Sequence, residues 1–163
     1  MSNDKKNYLI YEGSFLTPEP AYDQSINILR FRDPHENEYS ILVNRAFMNE
    51  GQTLEEFVEN QTRFLENTLP GYNNEGTMLK NSLGPAKLPV VQIANRFYQD
   101  GALMKQVQSF VALPYHPVIN PAKLNLIIFT LVVQDDFNEF QRKHYVQVIN
   151  SFNPEMLPAD ENT

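Results

Sequence analysis

The side chains that most often carry out catalysis or bind metals are scattered in this sequence of 163 residues. The three histidines are His35, His116 and His144, and none stands at metal-ligand spacing from another. The chain has no cysteine, which excludes a thiolate nucleophile, a disulfide and a cysteine-ligated zinc site. We therefore predict no metal site and no cofactor, and we interpret the histidines as surface or packed residues.

Motifs for phosphate binding and for nucleophilic catalysis are also missing from the sequence. The 6 glycines never cluster into a phosphate-binding loop, and no serine lies in a G-x-S-x-G elbow. The acidic pairs Glu55/Glu56 and Asp135/Asp136 stand where helices are predicted to begin, and the helix dipole favours negative charge there. The sequence consequently predicts a protein that is not an enzyme.

Net charge and hydropathy narrow the classes of partner. The formal net charge is −7, and a nucleic-acid binder needs a basic surface for its phosphate contacts, so no nucleic acid is expected as a partner. The longest apolar stretch, residues 126–133, is far shorter than the ~20 residues that cross a bilayer. The polar N-terminus is followed by no apolar segment of the kind found in a secretory signal. We expect a cytoplasmic protein without direct membrane insertion.

Hydrophobic periodicity predicts the elements that would position any site. Strands are predicted at residues 8–16, 24–32, 39–47, 77–83, 88–99, 102–113 and 124–134, and helices at residues 54–68 and 136–152. Thr53 with Glu56, and Asp136 with Glu139, fit capping patterns at the two helix starts. Asp100 and Gly101 form a strong hairpin signal between two of the strands.

The order of these elements, βββαββββα, is typical of an α+β fold with a mostly antiparallel sheet and two principal helices. We expect residues 1–163 to form a single domain, since no linker, repeat or low-complexity segment divides the chain. Residues 1–7 and 154–163 are polar or proline-containing and are predicted to be loose.

The strand predicted at residues 24–32 is partly apolar on both of its faces. Alternation of side chains puts Ile26 and Ile28 on one face and Leu29 and Phe31 on the other. A half-buried strand normally has one apolar and one polar face. Either the domain covers both faces of this strand, or something outside the domain covers Ile26 and Ile28.

The predicted hairpin of residues 88–113 carries amide side chains on one of its faces. We expect one of its faces to be a plain core face made by Val91, Ile93, Phe97, Leu103, Val107 and Val111. The opposite face would then combine amides with Met and Phe, and would carry Gln92, Ala94, Arg96, Met104, Gln106, Gln108 and Phe110.

Together with Ile26, Ile28 and Leu42, the amide-bearing face predicts an apolar surface with amide groups set into it. Such a surface suits an apolar partner that carries backbone and small polar groups, because amides both donate and accept hydrogen bonds. Gln61 fits the same interpretation, since it lies on the apolar stripe of the first helix. The alternative is an ordinary half-exposed sheet face, with Ile26 and Ile28 beneath a loop or helix and Gln61 bonded to nearby backbone.

The run Asp-Gln-Ser-Ile-Asn-Ile at residues 23–28 resembles the N-terminal signature of the Eag chaperones of bacterial type VI secretion, which belong to the DcrB-related domain family. The resemblance continues in order along nearly the whole chain. It includes the Ser-Ile-Leu-Val-Asn-Arg strand at residues 40–45, the helix from Phe57 through Gln61 to its stop at residues 69–71, and residues 103–107.

The resemblance implies a Mog1/PsbP-like fold and a cytoplasmic homodimer. It implies a chaperone that binds the N-terminal transmembrane segments of secreted toxins, often ones with PAAR and Rhs regions, and keeps them soluble until they are loaded onto the secretion spike. By the same resemblance, Ile26, Ile28 and Leu42 line a groove, while Gln61 and Gln106 supply polar contacts to the bound helices.

Met104 and Gln108 lie on the predicted amide-bearing face beside Gln106, so we include them among the client-binding residues. A non-catalytic structural or regulatory protein-binding domain of the same fold is the alternative function. The proline-rich loop at residues 114–121 and the acidic C-terminal tail match no signature of the family.

Overall fold

The computed structural model describes residues 5–154, which form nine strands and two helices. The strands are β1 (Lys6–Ile10), β2 (Gly13–Thr17), β3 (Asn27–Arg32), β4 (Glu38–Phe47), β5 (Asn73–Asn74), β6 (Leu79–Leu83), β7 (Leu88–Gln99), β8 (Ala102–Ala112) and β9 (Asn125–Gln134). The helices are α1 (Leu54–Thr68) and α2 (Glu139–Ser151). None of the helices in this range has the length and hydropathy needed to span a bilayer.

Seven of these strands form the principal sheet, in the order β3-β4-β9-β8-β7-β5, with β6 also paired to β7. Each pairing is antiparallel. Strands β1 and β2 form a separate two-stranded hairpin. The predicted α+β class, with a mostly antiparallel sheet and two principal helices, is confirmed.

The first predicted strand, residues 8–16, is wrong as a single element because the chain folds back on itself there to form β1 and β2. Tyr8 pairs with Phe15, and their rings stack with centroids 5.4 Å apart. Cross-strand aromatic pairs of this kind stabilise hairpins. Lys6 and Asn7, which were predicted to be loose, belong to β1. Residues 1–4 and 155–163 of the predicted loose ends lie outside the described residues.

The capping prediction is confirmed for α1 and wrong for α2. Thr53 accepts a hydrogen bond from the Glu56 amide at 3.1 Å, and Glu56 accepts one from the Thr53 amide at 2.9 Å. The N-cap of α2 is Asn138, whose side chain accepts from the backbone amide of Gln141 at 2.9 Å. Asp136 instead pairs with Lys105 at 3.1 Å, so its carboxylate is directed toward the sheet.

Each face of the sheet packs against one helix. The α2 face, defined here as the side that α2 covers, holds the larger cluster of buried side chains, including Ile41, Val111, Leu131, Tyr145 and Ile149. The α1 face is the opposite side, where Val58 of α1 packs with Val91, Ile93, Phe110 and Ile128. Burying each such side chain contributes about 1.5–3 kcal/mol, so these two clusters hold the helices on the sheet.

The predicted division of faces in the β7–β8 hairpin is wrong. The register places Val91 opposite Phe110 and Ile93 opposite Gln108, so these side chains share the α1 face. Gln92, which was predicted to lie with the amides, is opposite Ser109 and donates to its hydroxyl at 3.0 Å on the α2 face. The α1 face therefore carries amides on both strands of the hairpin, since Asn95 of β7, which is fully buried, lies opposite Gln106 of β8.

A buried carboxylate joins the β3–β4 turn to the start of α2. Asp33 is 3% exposed, and its side chain accepts from the Asn37 backbone at 2.9 Å and from the amide of Asn138 at 2.6 Å. Burial raises the pKa of this carboxyl, but hydrogen bonds from Asn37, Asn138 and the His35 backbone outweigh it, so the pKa lies below its ordinary value. The carboxylate fixes the end of β3 relative to α2.

Replacing Asp33 with alanine is expected to lower the melting temperature by roughly 5–10 °C, because several donors lose their buried acceptor. Circular dichroism or differential scanning fluorimetry measures the change. Glu38→Ala is the control, since Glu38 makes only an exposed ion pair with Arg32 and should shift the melting temperature by about 1 °C or less. An equal shift in both variants would mean that the turn is held by other contacts.

The same carboxylate predicts a loss of stability in acid. Its folded pKa is lower than the ordinary value of 3.8, so its contribution is fully present above that pH and disappears as the pH falls through the folded value. We expect the melting temperature of the wild type to fall below about pH 4 more steeply than that of Asp33→Asn. Parallel slopes for the two proteins between pH 5 and pH 2 would contradict this assignment.

Candidate functional site

The register brings most of the predicted binding residues onto the α1 face. Ile28 pairs with Leu42, Leu42 with Thr130, and Thr130 with Gln108, so these four side chains form one row across β3, β4, β9 and β8. Gln106 lies in the next row, opposite Val132 of β9. We call the β3, β4, β9 and β8 part of this face the open strip; it contains Ile28, Arg30, Ser40, Leu42, Asn44, Met104, Gln106, Gln108, Thr130 and Val132, and we include Ile26, which directly precedes β3.

The open strip becomes more exposed with distance from α1. Ile93 on β7 is 8% exposed beneath the helix, and Leu42 on β4 is half-buried. Ile28 and Ile26, at the edge strand, are 56% and 51% exposed. The alternative in which a loop or helix of the described chain covers these two isoleucines is therefore not what the structure has.

One amide of the open strip has a buried atom without a hydrogen-bond partner. Gln108 donates to the Thr130 hydroxyl at 3.4 Å, and its carbonyl oxygen is buried with no partner among residues 5–154. Gln106, in the next row, is only 7% exposed. A buried polar group without a partner costs about 1–3 kcal/mol. A ligand that bonds these amides would recover part of that free energy.

Gln61 lies on α1, the helix that borders the open strip. Its side chain is half-buried and makes no hydrogen bond with a described residue. The backbone partner that the alternative interpretation expects is not found within the described range. The amide of Gln61 is thus available to a ligand.

The signature run at residues 23–28 fixes the start of β3. The Asp23 carboxylate accepts from the Ser25 backbone amide at 3.1 Å and from the hydroxyls of Ser25 and Tyr8. The Ser25 bond and then the Tyr8 bond lower the pKa of the Asp23 carboxyl. On the neighbouring strand, Arg45 donates to the Asn27 side chain at 2.7 Å. Ile26 lies between Ser25 and Asn27, which are both held by hydrogen bonds, so its position at the start of β3 is fixed.

Thr130 and Val132 of the open strip were not among the predicted binding residues. Thr130 is the polar residue inside the apolar run of residues 126–133, and it is only 4% exposed because longer neighbours flank it. Its position within an otherwise apolar strand was a usable signal. A polar residue in the centre of a sheet commonly faces another polar side chain, and here that side chain is Gln108.

His144 and His116 both make contacts that stabilise the fold. Nδ1 of His144 lies 2.8 Å from the Tyr39 hydroxyl, and the imidazole packs edge-on against Phe31. Nδ1 of His116 accepts from the backbone amides of Val118 and Ile119. No group of three or more histidine or acidic side chains is placed to hold a metal ion in the described part of the chain.

Comparison with known proteins identifies relatives at the level of family and fold. The family model described as DcrB matches residues 12–151. A solved structure of PA94 from Pseudomonas aeruginosa, a protein of unknown function described as a candidate regulator, has a TM-score of 0.66 at 18% identity, covering 95% of this chain and 97% of that chain. LpqN of Mycobacterium tuberculosis, involved in cell envelope biogenesis, has a TM-score of 0.53 at 16% identity, covering 82% and 78%. No curated protein matches the sequence.

Removing the Asp23 carboxylate should free the start of β3 without unfolding the sheet. In Asp23→Ala we expect faster amide hydrogen exchange at residues 23–28, because the Ser25 and Tyr8 bonds lose their acceptor. Glu59→Ala, at an exposed position of α1, is the control. Unchanged exchange at residues 23–28 would show that Arg45 alone fixes this segment.

Proposed function

Because the chain belongs to the DcrB family, we propose that it is a non-catalytic protein-binding domain that acts as a cytoplasmic chaperone of type VI secretion. Its client would be the N-terminal transmembrane region of a secreted effector of the PAAR/Rhs type. The chaperone would shield those helices until the effector is loaded onto the secretion spike. The observation that carries the proposal is the open strip, where exposed Ile26 and Ile28 continue into Leu42 and then Gln108, whose carbonyl oxygen has no partner among the described residues.

An apolar helix is the partner that this surface suits best. Burying apolar surface contributes about 25 cal/mol per Å², and a transmembrane helix in water exposes much of it. The open strip is bordered by α1 on one side and by the edge strand β3 on the other, which is an arrangement suited to receiving a helix. Ile26, Ile28 and Leu42 would supply the apolar contacts.

The amides would match what a transmembrane helix presents besides apolar surface. Such helices associate through small residues and through weak polar contacts of serine, threonine and similar side chains. Gln61, Gln106 and Gln108 can donate to and accept from these groups. Met104 adds a flexible side chain that fits irregular apolar surfaces.

We propose that the chaperone acts as a homodimer, without cofactor or catalytic step and without inserting into the membrane itself. The net charge of −7 favours a protein partner over a nucleic acid.

The alternative function is a structural or regulatory domain that binds a folded protein partner through the same strip.

Charging the exposed edge strand should abolish client capture while the fold survives. We expect Ile26→Asp/Ile28→Asp to retain its circular dichroism spectrum, because both side chains are more than half exposed. Co-expression with the N-terminal transmembrane region of a PAAR/Rhs effector should yield soluble complex for the wild type and at least tenfold less for the variant.

Leu29→Asp is the matched control for the charged edge strand. Leu29 lies on the same strand, is 46% exposed and faces the α2 side. It should leave client capture unchanged. If the wild type captures no transmembrane region, the chaperone function is wrong; if Leu29→Asp abolishes capture equally, the open strip is not the binding surface.

Replacing Gln61 with leucine distinguishes a binding amide from a structural one. An amide without a partner adds nothing to the fold, so the melting temperature should stay unchanged or rise. Affinity for the client should fall roughly three- to tenfold, because one hydrogen bond is lost. Titration of purified chaperone into detergent-solubilised client measures this affinity.

Asn60→Leu, on the exposed side of α1, is the control for this substitution and should leave affinity unchanged. A fall of several degrees in the melting temperature of Gln61→Leu, with unchanged client affinity, would assign Gln61 to the fold.

A further inference from the structure

Arg30 carries a positive charge on the open strip that no described residue of its own chain neutralises. Side chains alternate along β3, so Arg30 shares the α1 face with Ile28 and Arg32. Arg32 is paired with Glu38 at 3.1 Å. Arg30 is exposed, and within residues 5–154 its side chain makes no ion pair and no hydrogen bond. Its guanidinium is therefore free to bind a partner.

The other charges near the open strip are offset or directed away from it. Where the strip begins, the Asp23 carboxylate is bonded to the Tyr8 hydroxyl and lies near the positive charge of Arg45. Three charged side chains of α1 line a separate cavity of about 420 Å³, between α1 and the chain that joins β5 to β6; they are Glu59, Arg63 and Glu66. Arg30 therefore supplies the unpaired charge that this surface presents to a partner.

The register shows how polarity changes along the open strip. Arg30 pairs with Ser40 across β3 and β4. Ile28 and Leu42 form the neighbouring row on the same face. A strand rises about 3.3 Å per residue, so the aliphatic part of the strip begins at Ile26 and the cation follows about 13 Å farther along β3. The strip thus has an apolar end and a positively charged end.

Helix α1 runs along the strands and forms a wall beside the strip. Leu54, in the first turn of α1, packs with the cluster that contains Val91, and the register places Val91 level with Asn44 at the aliphatic end of the strip. Just beyond the last turn, the Pro70 carbonyl accepts from the backbone amide of Tyr98 at 2.8 Å, toward the other end of β7. A helix that packs between α1 and the edge strand would therefore follow the strands, with one of its ends near Arg30.

The wall that α1 contributes is uncharged on the side of the strip. Phe64 follows Gln61 by three residues, so both lie on one side of the helix, away from the cavity that Glu59 and Glu66 line. Phe64 is 59% exposed. An apolar helix in this position would meet aliphatic, aromatic and amide side chains until it reaches Arg30.

We propose that Arg30 fixes the direction of the bound helix, so that the client helix lies along the open strip with its C-terminal end at Arg30. This inference rests on the chaperone function proposed above and adds the orientation of its client. The last four carbonyl groups of a helix have no partner within the helix, and that end carries a partial charge of about −0.5. A guanidinium can donate several hydrogen bonds to such carbonyl groups.

Other placements of the client helix are less favourable. The reverse direction would bring the partial positive charge of a helix N-terminus next to the guanidinium of Arg30. A continuous apolar helix laid across Arg30 would remove water from the charge without supplying a partner. A cation at a helix C-terminus favours the proposed direction over its reverse by roughly three- to tenfold in affinity.

Cross-linking between engineered cysteines measures the direction, and the chain has no native cysteine to interfere. Ser40→Cys lies in the row of Arg30, and Asn44→Cys lies on the same strand at the aliphatic end of the strip. Each variant is co-expressed with the N-terminal transmembrane region of a PAAR/Rhs effector. That region carries a single cysteine, at the N-terminal or the C-terminal end of one transmembrane helix, and each of its helices is tested in turn.

With a short bifunctional maleimide, we expect position 40 to link to the C-terminal cysteine of the client helix and position 44 to the N-terminal one. These links should exceed the exchanged pairs roughly fivefold or more. Adding Arg30→Gln should bring the yields close to equal, whereas Lys87→Gln, which removes the same charge in the β6–β7 turn, should leave the preference intact. The exchanged pattern of links, or equal yields with the wild-type Arg30, would overturn the proposed direction.

Affinity provides an independent measurement. Arg30→Gln should keep its circular dichroism spectrum, because the side chain is exposed, and should bind the client in non-ionic detergent roughly three- to tenfold more weakly. Raising NaCl from about 50 mM to about 500 mM should weaken binding of the wild type more than binding of Arg30→Gln. Lys87→Gln should bind as the wild type does.

The outcomes separate this inference from the function on which it rests. Capture of the client with equal affinity by Arg30→Gln, and without a preferred direction, would overturn the role of Arg30 and leave the chaperone function standing. A wild type that captures no transmembrane region would overturn both. A preference that disappears when acidic client residues near the helix end are replaced by their amides would assign Arg30 to a client side chain and overturn its binding to helix carbonyl groups.

Discussion

The width of the sheet compared with the number of helices is the constraint on which the rest of this structure depends. Strands lie about 4.8 Å apart and a helix is about 10–12 Å across, so one helix covers roughly two to three strands. The described chain has one helix for each face of a seven-stranded sheet. Since α1 packs over β7 and β8, the β3 and β4 side of that face has no helix to cover it. The exposed isoleucines follow from this geometry.

The polarity of the uncovered region changes gradually across the sheet. Next to α1 the face is apolar at Phe110 and Val91, while Gln108, farther along the same strand β8, and Thr130 of β9 are polar. A fully apolar strip on a monomer would favour aggregation, and a fully polar one would not retain an apolar helix. Amides that are partly buried lie between these extremes. In the proposed function, such amides would lower the stability of the free protein slightly and raise its selectivity for a partner that can bond them.

Local signals in the sequence predicted the elements well, and contacts between distant residues were not predictable. Thr53 with Glu56, and the Asp100-Gly101 turn, depend on neighbours in sequence, and both are found as predicted. A two-residue turn pairs Gln99 with Ala102, and counting back from it places Val91 opposite Phe110. The sequence therefore held the information that corrects the division of faces.

Other features of the candidate site cannot be predicted from residues that are neighbours in the sequence. The bond from Asn138 to Asp33 joins residues 105 positions apart, and hydrophobic periodicity says nothing about such a contact. The missing partner of the Gln108 carbonyl oxygen is also visible only once the register and the position of α1 are known. The isoleucines could be predicted as unusual, because alternation on a short strand is a local property, but their exposure depends on where α1 lies.

Two carboxylates hold the opposite ends of the edge strand. Asp23 bonds the hairpin and Ser25 before β3 begins, and Asp33 bonds Asn37 and Asn138 after it ends. An edge strand has a partner on one side only, so without these anchors β3 would be prone to fraying. In the proposed chaperone, fixing both ends would position Ile28 before a client binds and so reduce the entropy lost on binding. Asp23 also joins the β1–β2 hairpin to the start of this strand, through the Tyr8 hydroxyl.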